Sequence, residues 1–260
     1  MPLYNPAAVS LTMMRGEIAG LVYSSNGADA TNDLDITAGG CMDASNTDWI
    51  EIASVTKQSD VAWAADAGAT PSGALDTGVV GNNAYYIWAI KNPTTRATGI
   101  LFSLSPTAPT MPGGYTLKRL IGWFKRSGGA IVAFSTVELP GGGLRYRWKT
   151  PVLDGSNVSL TTTYATLTIS VPVGLAVNAF GNVMANTGGF TANVRQPGMS
   201  DGTPSMTTSP GSTVGATGTA TNISGQWSET TNTSAQIEWA SASSVAGNYL
   251  VTKGFDWSRR

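Results

Sequence analysis

Residues 144–150 read LRYRWKT, with Leu144, Tyr146 and Trp148 on one side of an extended chain and Arg145, Arg147 and Lys149 on the other. Period-two alternation with one apolar and one charged face marks an antiparallel strand packed on one side only. AQIEWAS repeats the pattern, with Ile237 and Trp239 opposite Gln236 and Glu238. YATLTISVPV alternates too and closes at Pro172, as a strand end does. Helical periodicity is almost absent. Only residues 7–20 leave room for a turn or two, and Gly16 and Gly20 weaken even that. Short apolar runs broken by Gly, Pro, Asn and Asp predict an all-β chain, sandwich or barrel. The expected strands are 21–24, 34–37, 49–53, 85–91, 99–104, 117–125, 130–137, 144–148, 164–171, 176–184, 190–194, 234–240 and 249–255. A boundary near Pro151 is open, although strand patterns continue across it.

Residue usage excludes much chemistry. There is no histidine, so Ser-His-Asp and Cys-His devices are excluded, along with the commonest zinc ligand. Cys41 stands alone, which rules out an intrachain disulfide, and it reads as a structural thiol in a strand-like stretch. Charged residues are 12% of the chain and the net charge is −1, so neither nucleic acid nor an anionic membrane is an expected partner. The N-terminal run MPLYNPAAVSLTMMRG lacks the apolar core of a signal peptide, and no stretch is long enough for a membrane span. A surface rich in Gly, Ser, Thr and Asn suits packing against other subunits, and a symmetric homo-oligomer, a trimer, is expected.

Four stretches suggest chemistry. SSNGADATNDLDITAG, residues 24–39, offers Asp29, Asn32, Asp33 and Asp35 as calcium ligands. Their spacing is not that of a calcium loop, and Asp35 alternates with Leu34 and Ile36, so the reading is a turn feeding a strand. LDTG, Leu75 to Gly78, matches the Asp-Thr-Gly of aspartic proteases, but no second copy supplies the partner carboxylate. Its surroundings, PSGALDTGVVGNN, read as loop turns. LKRLIGWFKR sets Lys118, Arg119, Lys125 and Arg126 among Trp123 and Phe124, which reads as a strand rather than a nucleic-acid strip. A glycosidase pair among the 16 Asp and Glu is singled out by nothing. No catalytic, cofactor-binding or metal-binding residue is assigned. The polar stretch 196–225 cannot bury much apolar area and reads as a loop or as a ribbon pinned by a neighbouring chain. Some of the eight Trp and eight Tyr, placed on loops, would suit sugar rings.

Several segments together resemble a known group. They are SNGADATNDLDI (25–36), VTK (55–57), GALDTG (73–78), the strand at Tyr85-Tyr86-Ile87, FSLSPTAPTMPGGY (102–115), KRLIG (118–122) and the ending YLVTKGFDWSRR. The pattern is similar to tail-fibre-like virion proteins of bacteriophages and prophages, over about residues 20 to 135 and weakly at the C-terminus. The resemblance implies a β-sandwich or jelly-roll-like fold, expected here as an antiparallel sandwich over 21–260. The polar loop at about 196–225 and the Trp-rich ending depart from the pattern, and Pro2, Pro6, Met13 and Met14 make residues 1–20 an expected attachment arm. The resemblance also implies a non-enzymatic structural protein of the virion, assembled in the host cytoplasm beside other virion proteins. A short tail fibre or tail tip touching a host surface glycan is the expected role. A capsid decoration, head-fibre or collar protein and a polysaccharide depolymerase are the alternatives.

Overall fold

The alternating segment at 144–150 begins a strand much longer than its pattern. It is part of β13 (Gly143–Leu160), which runs on through Pro151. The structure is a computed structural model that describes residues 15–65, 71–185, 190–200, 212–216, 223–242 and 244–259. Among these the fold is all-β, with one short 3₁₀ turn at Pro140–Gly142. No helix among them is long and apolar enough to cross a membrane. Of the expected arm, residues 1–14 lie outside the described residues. Where residues 7–20 left room for a helical turn, Ile18–Gly20 form a strand instead.

The chain divides into two compact units, Met1–Leu144 with Ser258–Arg260, and Arg145–Trp257. The sequence suggested one body over 21–260 because no linker marks the change. A continuous strand crosses that point, so composition does not shift there.

In the first unit the strands are β1 (Ile18–Gly20), β2 (Tyr23–Ser25), β3 (Asp33–Ile36), β4 (Gly39–Met42), β5 (Trp49–Ile52), β6 (Val55–Ala62), β7 (Ser72–Leu75), β8 (Ala84–Lys91), β9 (Thr98–Ser103), β10 (Leu117–Ser127), β11 (Ala130–Ile131) and β12 (Phe134–Leu139). Eight of them form one sheet in the order β11-β10-β8-β9-β7-β6-β3-β2. It is mixed rather than wholly antiparallel, because β7 runs parallel to both β6 and β9. β7 occupies the stretch expected as loop. Its sequence, SGAL, has no alternation, and Gly73 is there because a Cβ would lie 2.0 Å from the Ala62 carbonyl oxygen.

This sheet nearly closes into a barrel. At its two ends, the Ile131 N–H donates to the Thr31 carbonyl at 2.9 Å. Tyr23 of β2 reaches β10, where its hydroxyl donates to the Trp123 carbonyl at 2.8 Å and accepts from the Trp123 N–H at 2.9 Å. The ring passes over Gly122, where a Cβ would sit 2.4 Å from it. A register shift in β10 falls beside that glycine, between Leu120 and Gly122. Arg126, 3% exposed, ties the same seam with bonds to the Thr31 and Gly129 carbonyls, Asn32 Oδ1 and Ser59 Oγ. The interior is filled by Leu34, Ile36, Ile87, Ile100, Phe102 and Phe124, all at most 1% exposed.

The second unit holds β13, β14 (Ala165–Thr168), β15 (Asn178–Ala185), β16 (Phe190–Arg195), β17 (Ser212–Ala216), β18 (Ile223–Thr230), β19 (Gln236–Ser241) and β20 (Val245–Trp257). One of its sheets has the order β13-β20-β15-β18 and the other β14-β19-β16-β17. The expected polar loop at 196–225 is partly strand: β17 pairs with β16 of the same chain, from Phe190 opposite Ala216 to Val194 opposite Ser212. Backbone pairing at an edge needs no apolar side chains, so the composition hid it. β18 begins at Ile223 within the same stretch, and 201–211 and 217–222 lie outside the described residues. The alternating faces behave as read, with Tyr146, Trp148, Ile237 and Trp239 all at most 5% exposed.

Candidate functional site

The acidic stretch 24–39 spends most of its polar atoms on its own backbone. Asn26 Oδ1 accepts from the N–H of Ala28 and Asp29, and Asp29 Oδ1 from those of Thr31 and Asn32. Asp35 Oδ1 takes the Asn26 amide at 2.8 Å and the Thr56 hydroxyl at 2.6 Å. Leu34 and Ile36 face the core, as the alternation required. Asp33 differs: it is 4% exposed, and its Oδ1 has no hydrogen-bond partner among the described residues. Burial, then the charges of Asp29, Asp60 and Asp35, push its carboxyl above the ordinary value of 3.8. Among the described residues no group of three or more His, Cys, Asp or Glu is placed to hold a metal ion.

Asp43 shows the opposite balance. Burial alone would raise its carboxyl. Donors from the Ser45 hydroxyl and the N–H groups of Asp48, Ser45 and Thr47 outweigh burial and hold it below 3.8. The two acids give pH effects of opposite sign. Asp43 stabilises the fold above its unfolded value near 3.8, and that contribution is lost as pH falls through its lower folded value. Asp33 stabilises only while protonated, and that contribution is lost as pH rises above 3.8 through its folded value. Asp33→Asn is therefore expected to raise the melting temperature by a few degrees at pH 7 and to leave it unchanged near pH 3. Asp43→Asn is expected to lower it at pH 7. Thermal melts across pH check both. A loss on Asp33→Asn at pH 7 would show that its charge is compensated.

The other chemical readings resolve into structure. Asp76 of LDTG accepts from the Thr110 N–H at 2.9 Å and so fastens a loop. The Cys41 thiol is fully buried, and burial pushes it up to about 12, which suits packing. In β10 the aromatics Trp123 and Phe124 lie on opposite faces of the strand, and both are buried, at 2% and 0% exposure. Of its basic residues, Arg126 is the seam residue, Arg119 donates to the Arg259 carbonyl, and Lys118 lies 5.4 Å from the Trp88 ring centre. The aromatics of the run are thus buried in the strand rather than displayed beside its cations.

A groove of about 730 Å³ does form on the first unit, beside the three-stranded sheet β1-β4-β5. Among the described residues no further strand pairs with the outer edge of β5. Instead the Lys91 ammonium takes the Trp49 carbonyl at 2.6 Å, and the Thr98 hydroxyl takes the Glu51 carbonyl at 2.8 Å. Trp49 is half-buried and lies over Gly40, where a Cβ would be 2.4 Å from the indole. Asp48 holds two cations, Lys91 at 2.9 Å and Arg96 at 2.6 Å. Burial would raise its carboxyl, but bonds from Lys91, the Trp49 N–H and Arg96 keep it low. Glu51 lines the groove with Lys91 and Arg96, and Asp48, outside the lining, pairs both cations, so the charge is balanced. An aromatic face, balanced charge and hydroxyl-matching donors fit a neutral, hydroxylated ligand.

Sequence reasoning placed Trp49 in a strand but did not see the groove. The one available signal was the Gly39-Gly40 pair near a tryptophan strand, which makes room for an indole. Comparison with family models, with curated proteins and with solved structures gave no match.

Proposed function

We propose that this chain is a non-enzymatic structural protein of a bacteriophage particle, a short tail fibre or tail-tip protein that touches a glycan on the host surface. The observation that carries the reading is where the motif residues go. The segments that resemble tail-fibre-like proteins build the barrel seam and its turns: Asn26, Asp29 and Asp35 in the turn, Asp76 fastening a loop, Gly122 under Tyr23. A motif spent on architecture belongs to a scaffold, and the Trp49 groove gives that scaffold a surface for a sugar ring. In this reading the second unit is an antiparallel, jelly-roll-like sandwich, supported by Gly155 of β13 packing on the Trp239 indole of β19. Residues 1–20 act as the attachment arm, the protein is a homotrimer, and it joins the virion in the host cytoplasm.

The test is imaging of particles labelled with an antibody to the chain, paired with a reducing-end assay on host polysaccharide. Label at the tail tip with no sugar release is the expected result. Label over the capsid or collar replaces the tail reading with a decoration, head-fibre or collar protein. Release of reducing ends by the purified chain replaces the binder with a depolymerase.

A further inference from the structure

The outer face of the second unit carries a groove of about 400 Å³ whose charge is not balanced. β13 alternation sends Arg145 and Arg147 outward, where both are exposed. A third cation arrives through a slip in register. β15 pairs Phe180 with Gly254 and Gly181 with Thr252, so Lys253 is the extra residue of a β-bulge in β20. Gly254 is what allows it, since a Cβ there would sit 2.0 Å from the Tyr146 carbonyl oxygen. Bulges re-aim side chains, and Lys253 joins the lining of the groove.

Only one of the three cations is neutralised within the groove. Asp256 grips Arg145 with two bonds, of 2.7 and 2.6 Å, and this pairing raises the guanidinium above its ordinary value. Among the described residues neither Arg147 nor Lys253 has a carboxylate partner. The half-buried ring of Phe180 lies 5.4 Å from the Arg145 guanidinium and 5.7 Å from that of Arg147, which holds both over the groove. Neutral donors stand beside them. Asn178 accepts from the Ser228 hydroxyl at 3.2 Å through its Oδ1, and its amide nitrogen has no partner among the described residues. The Gln226 amide has none either.

Two uncompensated cations call for an anion, and two unused amide donors call for hydroxyl or carbonyl oxygens next to it. We infer that this face binds an acidic saccharide, its carboxylate held by Arg147 and Lys253 and its hydroxyls by Asn178 and Gln226. A nucleic acid fits less well. The Phe180 ring already engages both guanidiniums, and Trp227, the other aromatic of the lining, is 2% exposed, so neither presents an open face for base stacking. The inference does not depend on where the chain sits in a particle, because binding is measured on the purified protein.

The test is calorimetric titration of the full chain with trigalacturonate, a neutral galactose trisaccharide, inorganic phosphate and a short thymidine oligonucleotide. Trigalacturonate is expected to bind at low salt and to weaken sharply at about 1 M salt, where the screening length is about 3 Å. Arg147→Ala with Lys253→Ala is expected to reduce that binding at least about tenfold, with the melting temperature unchanged. Equal binding of the neutral trisaccharide overturns the proposal, and that comparison requires no variant. Equal or tighter binding of phosphate or the oligonucleotide overturns it too, as does undiminished binding by a folded double variant.

Discussion

Arg259→Ala is expected to destabilise the first unit by on the order of 3–5 kcal/mol, the cost of breaking a buried charged network. The side chain is fully buried, and burial holds its guanidinium below the ordinary range even with Glu138 nearby. It donates to three backbone carbonyls, those of Gly142 at 2.7 Å, Leu21 at 3.1 Å and Gly20 at 3.1 Å, and it touches Glu138 at 3.4 Å. Truncation leaves those oxygens buried without donors. Lysine is not a substitute, because one ammonium does not present a planar fork to acceptors on different segments. Hydrogen exchange read by mass spectrometry should show protection lost in peptides from 15–144 and kept in 145–257. An unchanged denaturation midpoint would mean that water satisfies these carbonyls unaided.

Trp239→Ala is expected to cost the second unit about 3–5 kcal/mol, as large-to-small core changes do. The indole is 1% exposed, lies 3.1 Å from where a Cβ on Gly155 would stand, and follows Ile237 on the inner face of β19. Here the exchange pattern should reverse, with 145–257 losing protection and 15–144 keeping it. Equal loss in both units for either variant would show that they unfold as one cooperative body. The sum is also informative: independent sites add, so if the two units are independent the double variant shows both losses in full.

Strands β13 and β19 were legible because a half-buried strand writes its two faces into the sequence as alternation. β7 was not, because a four-residue parallel strand between two neighbours needs small residues more than a pattern. Its Gly73 looks like a turn until the Ala62 carbonyl is placed against it. The Trp49 groove was hidden for a similar reason: it depends on Cys41 pairing with Ile50, which sets Trp49 diagonally across from Gly40. Lys253 on the cationic face was out of reach as well. Strict alternation breaks at the bulge, and only the pairing partners reveal where. Arg259 was the hardest to see, since a terminal Ser-Arg-Arg has the composition of a solvated tail.

The chain leaves the first unit at Leu144 and rejoins it at Ser258, so the second unit is an insertion within the first. Arg259 reaches its carbonyls across separations of 117 and 238 residues. A ribosome adding about 5–20 residues per second needs about 6–23 s to travel from Gly142 to Arg259. During that interval the nested body can fold as it emerges, while the enclosing one waits without its last buried cation. A nascent chain released early therefore carries a sound insert in an unsealed host, and proteases can tell it from a finished product.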